Sequence, residues 1–202
     1  MLYYTRIMKK VKSKGAKIMK IYNKKPIGEG KWLCVYEVQY TDRNGVNRSW
    51  EAVSRKSQQG AVLIIATLIP SGKLILIRQN RPPSEKMVLE FPAGLVDPGE
   101  TPEQAAVREL REETGYLGSI VSITQPAFSS PGMSAETVSI AKMKVIESEQ
   151  KELKTDFDES EDIETLLAHP SELQELFAGE YASGRAVDAK LLAYASALAD
   201  LN

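Results

Sequence analysis

Hydrophobic and polar residues alternate in two stretches near the start of the chain, residues 33–40 and 48–54. An Asn-Gly pair at 44–45 lies between them, and this pair favours the tight turn of a β-hairpin. A continuous apolar stretch begins at Ala61, which is typical of a central strand buried on both faces. Another apolar strand is predicted from Lys73, after a Pro-Ser-Gly turn. The chain is therefore expected to begin with a hairpin and continue into a sheet.

Apolar residues recur at helical spacing in three later stretches, which predicts helices at residues 101–114, around 170–177 and at 187–200. Shorter strands are predicted at residues 87–91, 119–124 and 137–145. Strands on both sides of one helix, with further helices near the end, predict an α/β (α+β mixed) fold in which a mixed sheet lies between helices.

The composition is that of a globular protein. The chain has 202 residues, of which 43% are hydrophobic, and its formal net charge is −1. Its single cysteine, Cys34, cannot form an internal disulfide, and no apolar run is long enough to span a bilayer. We therefore expect a cytoplasmic protein with no membrane or nucleic-acid partner.

The first 28 residues differ from the rest of the chain. They contain eight lysines and one arginine but no acidic residue. Transit peptides, nucleic-acid tails and membrane-surface arms share this basic character, but the lysine-rich composition favours a partly disordered lead-in with no function of its own. We therefore expect a lead-in at 1–28, an N-terminal strand region at 29–57 and a main domain at 58–202.

Glutamates are concentrated in and just before the first predicted helix, at Glu100, Glu103, Glu109, Glu112 and Glu113. Like charges three or four residues apart on a helix repel by about 0.2–0.5 kcal/mol per pair. Thr101 as N-cap and Gly115 at the C-terminus delimit this helix, which places Glu109, Glu112 and Glu113 on the side opposite Leu110. A solvated acidic face is one explanation, and a cation that compensates for the repulsion is the other.

The spacing of these residues favours the second explanation. Residues 94–116 fit the pattern G-x5-E-x7-R-E-U-x-E-E-x-G-U, where U is a bulky apolar residue. The matching positions are Gly94, Glu100, Arg108, Glu109, Leu110, Glu112, Glu113, Gly115 and, less typically, Tyr116. This stretch resembles the Nudix box. The resemblance implies a Nudix α/β/α sandwich with a mixed sheet, joined to an N-terminal antiparallel strand region.

Nudix enzymes split a nucleoside diphosphate linked to another group, and hard divalent cations offset the negative charge of the diphosphate. Mg²⁺ prefers oxygen ligands and is typically held by a few carboxylates together with substrate phosphates. The resemblance implies Mg²⁺, or Mn²⁺ in its place, and it implies that Arg108 and Glu100 brace the loop and helix. The implied ligands are Glu109, Glu112, Glu113, Glu90 and the Ala93 carbonyl. Of these, Glu112 and Glu113 are also expected to act in catalysis with Arg108.

The segments on either side of the box resemble the branch of the family that hydrolyses ADP-ribose and ADP-sugars. They are RQNRPPSEKMVLEFPAGLVDPGE before the box and SSPGMSAE after it. The resemblance implies that Arg81 contacts the diphosphate, that Arg55 reaches the phosphate region, and that Pro131 and Gly132 form a loop typical of ADP-ribose preference. Because Arg55 has no other signal, a plain surface charge is an equal alternative for it.

The resemblance also implies a catalytic acid or base and an adenine site. Glu161 matches the glutamate that assists the attacking water, although Glu159, Asp162 or Glu164 would also fit the loose alignment. Two tryptophans, Trp32 and Trp50, match the aromatic pair that sandwiches adenine, with Glu51 binding its exocyclic amine. The rings are expected to come from different subunits of a homodimer with exchanged N-terminal strands. Packing in the core is the alternative for both tryptophans.

The sequence therefore predicts a Nudix ADP-ribose diphosphatase that releases AMP and ribose 5-phosphate. A Nudix hydrolase for another nucleoside diphosphate sugar or a dinucleotide coenzyme is the second interpretation. A non-catalytic module that senses ADP-ribose is the third, although a sensor need not retain the metal ligands. His169 and Cys34 lack motif partners, so His169 is assigned a surface or capping role and neither is assigned to catalysis.

Overall fold

The computed structural model describes residues 19–57, 60–157 and 162–199. The chain divides into two compact units, of which the first comprises residues up to 57 together with 130–135. The second unit comprises residues 58–129 and 136–202. None of the described helices is long and apolar enough to cross a membrane.

The first unit is a three-stranded antiparallel sheet in the order β1-β2-β3. Its strands are β1 (Lys20–Glu29), β2 (Leu33–Thr41) and β3 (Asn47–Arg55). The predicted hairpin is formed by β2 and β3, and Gly45 in its turn has φ 83°, a left-handed conformation that glycine adopts without strain. Residues 130–135 run beside β3, where the Val53 amide donates to the Met133 carbonyl at 2.9 Å.

Strand β1 was not predicted. Residues 20–28 belong to the expected lead-in, yet they pair with β2 along almost their whole length. All ten residues of β1 are exposed, so the strand forms without the free-energy cost of burying its lysines. The structured part of the first unit therefore begins earlier than predicted, and residues 1–18 lie outside the described residues.

The second unit contains a mixed sheet with the central order β12-β6-β5-β4-β10-β8, and β11, β7 and β9 pair with β5, β4 and β10. The strands are β4 (Ala61–Ile69), β5 (Leu74–Arg81), β6 (Lys86–Glu90), β7 (Ala93–Leu95), β8 (Ser119–Ile123), β9 (Ala127–Phe128), β10 (Thr137–Ile146), β11 (Ile163–Ala168) and β12 (Ala186–Val187). The helices are α1 (Pro102–Thr114), α2 (Leu173–Ala182) and α3 (Ala189–Ala199). Parallel pairing joins β10 to β4 and β12 to β6.

The sheet of the second unit is covered by helices on both faces. Successive residues of β4 point to opposite sides of the sheet, so Val62 and Ile64 pack in a core with Leu110 of α1. Leu63 packs in a second core with Leu173 of α2 and Leu191 of α3. The predicted α/β/α arrangement is therefore confirmed, with the apolar strand at Ala61 in the middle of the sheet.

Candidate active site

Helix α1 begins and ends where the sequence predicts. The Thr101 hydroxyl accepts a hydrogen bond from the Gln104 amide, and the Gln104 side chain accepts one from the Thr101 amide, which together form a capping box. Gly115 ends the helix at φ 75°, and its amide donates to the Arg111 carbonyl at 2.8 Å. These caps fix the two ends of the helix and therefore the direction in which each glutamate side chain points.

Arg108 joins three of these glutamates, and we call the four residues Arg108, Glu100, Glu109 and Glu112 the Arg108 cluster. Its guanidinium donates to Glu100 at 2.9 and 3.0 Å, to Glu109 at 2.8 Å and to Glu112 at 2.9 Å. A further bond runs from Arg108 to the Leu95 carbonyl in β7 at 2.9 Å. The hydrogen bond with Glu100 raises the pKa of Arg108 still further and lowers the pKa of Glu100. Arg108 thus ties the loop before α1 to the helix.

Strand β7 lies against the same face of α1. The buried Glu113 carboxylate accepts a hydrogen bond from the Ala93 amide at 3.1 Å. A Cβ on Gly94 would lie 1.9 Å from Cδ of Glu109, so a side chain at position 94 would displace the Glu109 carboxylate. Glycine at this position therefore lets the Glu109 carboxylate rest directly on the backbone of β7.

Arg81 and Glu90 form a second ion pair in this unit. Nε of Arg81 donates to Glu90 at 2.8 Å across β5 and β6. Only 7% of Glu90 is exposed, and burial raises the pKa of this carboxyl although the Arg81 hydrogen bond acts in the opposite direction. Asp188 and Lys190 at the start of α3 also act electrostatically on Glu90, and no motif in the sequence identifies them.

Two of the predicted substrate-binding residues meet in the first unit. Nε1 of Trp50 donates to the Gly132 carbonyl at 2.9 Å, and Pro131 precedes Gly132 in the same turn. Trp50 is 54% exposed and Trp32 is 68% exposed, so neither ring is part of the core. The adenine-site prediction stays a prediction for both.

Arg55 and Glu51 also belong to the first unit, on β3. Successive strand residues point to opposite faces, so the Glu51 carboxylate and the Trp50 ring leave the sheet on different sides. A base stacked on Trp50 therefore lies on the opposite face of the sheet from the Glu51 side chain of the same strand. The predicted roles of Glu51 and Arg55 remain predictions.

The predicted water-orienting residue, Glu161, lies outside the described residues, as does its alternative Glu159. Of the other two alternatives, Asp162 precedes β11 and Glu164 lies on that strand. The Glu164 carboxylate accepts a hydrogen bond from Arg78, so it already has a partner within the protein. His169 caps the turn before α2 through its ring and its backbone, in agreement with its assigned role.

A cavity of about 760 Å³ lies on the outer side of α1. Its walls include Val107, Arg111, Leu117 and Lys154, and Arg108 and Glu112 also line it. Glu90, Glu109 and Glu113 do not line it. The cavity therefore shares Glu112 with the group of carboxylates and not the other three.

Comparison with known proteins assigns the family. The NUDIX domain model matches residues 57–191. An ADP-ribose pyrophosphatase of Bacillus subtilis is 35% identical over 146 residues, which cover 71% of this chain and 74% of that protein. An ADP-ribose pyrophosphatase of Saccharomyces cerevisiae is 34% identical over 152 residues, which cover 71% of this chain and 66% of that protein. A crystal structure of an ADP compounds hydrolase matches with a TM-score of 0.61 and 26% identity, covering 81% of this chain and 86% of that one.

The fold and the carboxylate-bearing helix thus define a Nudix hydrolase. The chain belongs to the Nudix family.

Nudix hydrolases generally use divalent metal ions, and the residues of α1 and β7 fit such an ion in their chemistry. Carboxylates outnumber the arginines that contact them, and Gly94 leaves space for Glu109 at the backbone. Within residues 19–57, 60–157 and 162–199, no three His, Cys, Asp or Glu side chains are already grouped as a metal site. Arg108 holds Glu109 and Glu112 in hydrogen bonds. Each of these carboxylates has a second oxygen, so it can bind an ion while it keeps its bond to Arg108.

Proposed function

We propose that the protein hydrolyses the diphosphate linkage of ADP-ribose to AMP and ribose 5-phosphate in a reaction that depends on Mg²⁺ or Mn²⁺. Water adds to one phosphorus, the bond from that phosphorus to the bridging oxygen breaks, and the proton from water ends on the products. The observation that carries the proposal is the surplus of carboxylates on α1 around Arg108. The substrate is supported by the Bacillus and yeast relatives, which are ADP-ribose pyrophosphatases.

Four glutamates and one carbonyl would hold the metal: Glu109, Glu112, Glu113, Glu90 and Ala93. When bound, the metal would supply charge that polarises the phosphoryl oxygens and favours ionisation of water. Arg108 keeps α1 and its preceding loop in place, and the Ala93 amide orients Glu113. Arg81 presents a planar fork that binds phosphate oxygens bidentately, with Glu90 fixing its direction.

A substrate panel tests the assignment. We expect kcat/KM for ADP-ribose to exceed that for ADP-glucose, NADH and GDP-mannose. A tenfold preference for GDP-mannose would contradict an adenine-specific site. A preference for NADH would favour the second candidate, a hydrolase of other ADP compounds, which the solved ADP compounds hydrolase supports.

We further propose that the protein is a homodimer in which Trp32 of one subunit and Trp50 of the other sandwich adenine. Support comes from the first unit, where β1 is exposed throughout and Ile21, Tyr22 and Ile27 are each about half exposed. An open strand edge with exposed apolar side chains invites pairing with a second chain.

Mixed dimers test this second proposal. Base stacking on an aromatic ring contributes about 1–3 kcal/mol, so Trp32→Ala and Trp50→Ala should each weaken ADP-ribose binding roughly 5-fold to 100-fold. When the two variants are refolded together, each heterodimer would carry one intact site and one site lacking both rings. Tight binding by half of the heterodimer sites is expected. Failure to recover tight binding despite demonstrated subunit exchange would place both rings in one chain.

A further inference from the structure

The start of α3 is held beside the Arg81–Glu90 pair. Strand β12 runs parallel to β6 with Val187 opposite Leu89, and the Asp188 amide donates to the Leu89 carbonyl at 2.9 Å. Leu89 directly precedes Glu90 in β6. The backbone thus fixes Asp188 next to the strand end that carries Glu90.

Asp188 in turn positions Lys190 through both of its carboxylate oxygens. Oδ1 accepts a hydrogen bond from the Lys190 amide at 2.8 Å, and Oδ2 accepts one from Nζ of Lys190 at 2.8 Å. The Asp188 side chain is 19% exposed, whereas that of Lys190 is 48% exposed. The carboxylate is therefore the fixed member of the pair, and the ammonium group is open to solvent.

The Asp188–Lys190 pair lies close to the Arg81–Glu90 pair. Nζ of Lys190 is bonded to Asp188, and the Asp188 amide is bonded to the carbonyl of Leu89, the residue before Glu90. Glu90 is in turn bonded to Arg81. These contacts place Lys190 beside the residues that would meet a substrate phosphate.

We propose that Lys190 is a further substrate-binding residue, which exchanges Asp188 for a phosphate oxygen of the diphosphate that Arg81 binds. Lysine binds phosphate as a compact point charge on a flexible stem, which suits such an exchange, whereas Arg81 must also keep its bond to Glu90. The proposal rests on the proposed function, because it places the diphosphate beside Arg81. It adds a residue that fixes the substrate's position at the N-terminus of α3.

The test compares Lys190→Met, Lys190→Arg and a control, Lys73→Met, in the full-length protein with Mg²⁺ present. Lys73 is exposed and precedes β5, eight residues from Arg81, or about 26 Å along an extended strand. Binding of inorganic pyrophosphate is measured by calorimetry. We expect Lys190→Met to raise the Kd about tenfold, Lys190→Arg to restore binding to within about threefold of wild type, and Lys73→Met to change nothing.

Turnover and folding separate a binding role from a structural one. Lys190→Met should raise the KM for ADP-ribose about tenfold with kcat within about twofold, because a contact made equally in ground and transition states affects KM alone. The melting temperature should stay within about 3 °C, because an exposed ion pair contributes little stability. An unchanged Kd for pyrophosphate in Lys190→Met would overturn the inference, as would an equal loss in Lys73→Met. If wild type binds pyrophosphate through Lys190 but does not hydrolyse ADP-ribose, the proposed substrate fails and the inference stands.

Discussion

The second unit contains two clusters of arginine–glutamate ion pairs, and the clusters differ in their charge balance. The Arg108 cluster sets one arginine against three glutamates, and its side chains are between 14% and 36% exposed. The second group, here called the Arg78 cluster, sets Arg78 and Arg185 against Glu164 and the buried Glu180. In the Arg78 cluster the charges are equal in number, whereas the Arg108 cluster has negative charge left over.

Charge balance is the feature by which we propose to distinguish a structural cluster from a cation site. Glu180 is 1% exposed and accepts hydrogen bonds from both Arg78 and Arg185, at 2.6 Å for the closest contact with each. A balanced pair of this kind has no need of a further ion. Three glutamates face one arginine in the Arg108 cluster, and a divalent cation would stabilise such an arrangement.

The largest expected effect is on catalysis through the Arg108 cluster. Glu109→Gln should lower kcat at least about a hundredfold, because loss of transition-state charge stabilisation of this kind costs roughly 2.7–4 kcal/mol. Glu113→Gln should have a similar effect. Steady-state kinetics with ADP-ribose and saturating Mg²⁺ provide the measurement. Glu103→Gln, an exposed change in the first turn of the same helix, is the control and should retain near-native turnover. Near-native turnover in Glu109→Gln would remove this residue from the metal site.

The next effect is on stability through the Arg78 cluster. Glu180→Gln leaves two arginines without their buried counter-ion, which should cost about 3 kcal/mol, the lower end for breaking a buried pair because Arg185 is 34% exposed. The free energy of unfolding is measured in urea, with kcat per folded molecule expected within about twofold of wild type. Glu164→Gln removes a partner that is 60% exposed and should cost less than about 1 kcal/mol. Equal losses in the two variants would contradict the distinction between buried and exposed partners.

A smaller effect concerns pH. Burial raises the pKa of Glu180, but the hydrogen bonds from Arg78 and Arg185 outweigh burial, so the pKa lies below its ordinary value of 4.5. A carboxyl whose folded pKa is depressed contributes its full stability above the unfolded pKa and loses it as pH falls through the folded pKa. The difference in unfolding free energy between wild type and Glu180→Gln should therefore be constant near neutral pH and shrink below about pH 4.5. Urea titrations at a series of pH values measure it, and a difference that grows on acidification would have the wrong sign.

The sequence predicts the Arg108 cluster better than the Arg78 cluster. Glu109, Glu112 and Arg108 lie within one helix, so helical spacing is enough to bring them together. Arg78 and Glu180 are separated by 102 residues, and only the folded sheet brings them into contact. Strand β11 was also not predicted, since its pairing with β5 is a long-range contact. The same reasoning explains why Asp188 and Lys190 were not identified.

Strand β1 shows a different limit of sequence patterns. Its lysines carry no signal of burial, yet Ile21 and Lys24 pair with Tyr40 and Val38 of β2. The hairpin of β2 and β3 offers an edge with free backbone groups, and pairing with that edge requires no apolar face. Hydrophobic alternation therefore does not identify this exposed strand.

The most direct test of the account is whether a divalent cation binds through the Arg108 cluster and not through the Arg78 cluster. Mn²⁺ binding is titrated by electron paramagnetic resonance in wild type, Glu109→Gln and Glu164→Gln, without substrate. We predict that Glu109→Gln weakens Mn²⁺ binding by at least about tenfold, which is the cost of losing even an outer-shell partner, and that Glu164→Gln binds within about twofold of wild type. Wild-type affinity in Glu109→Gln, or an equal loss in Glu164→Gln, would contradict the account.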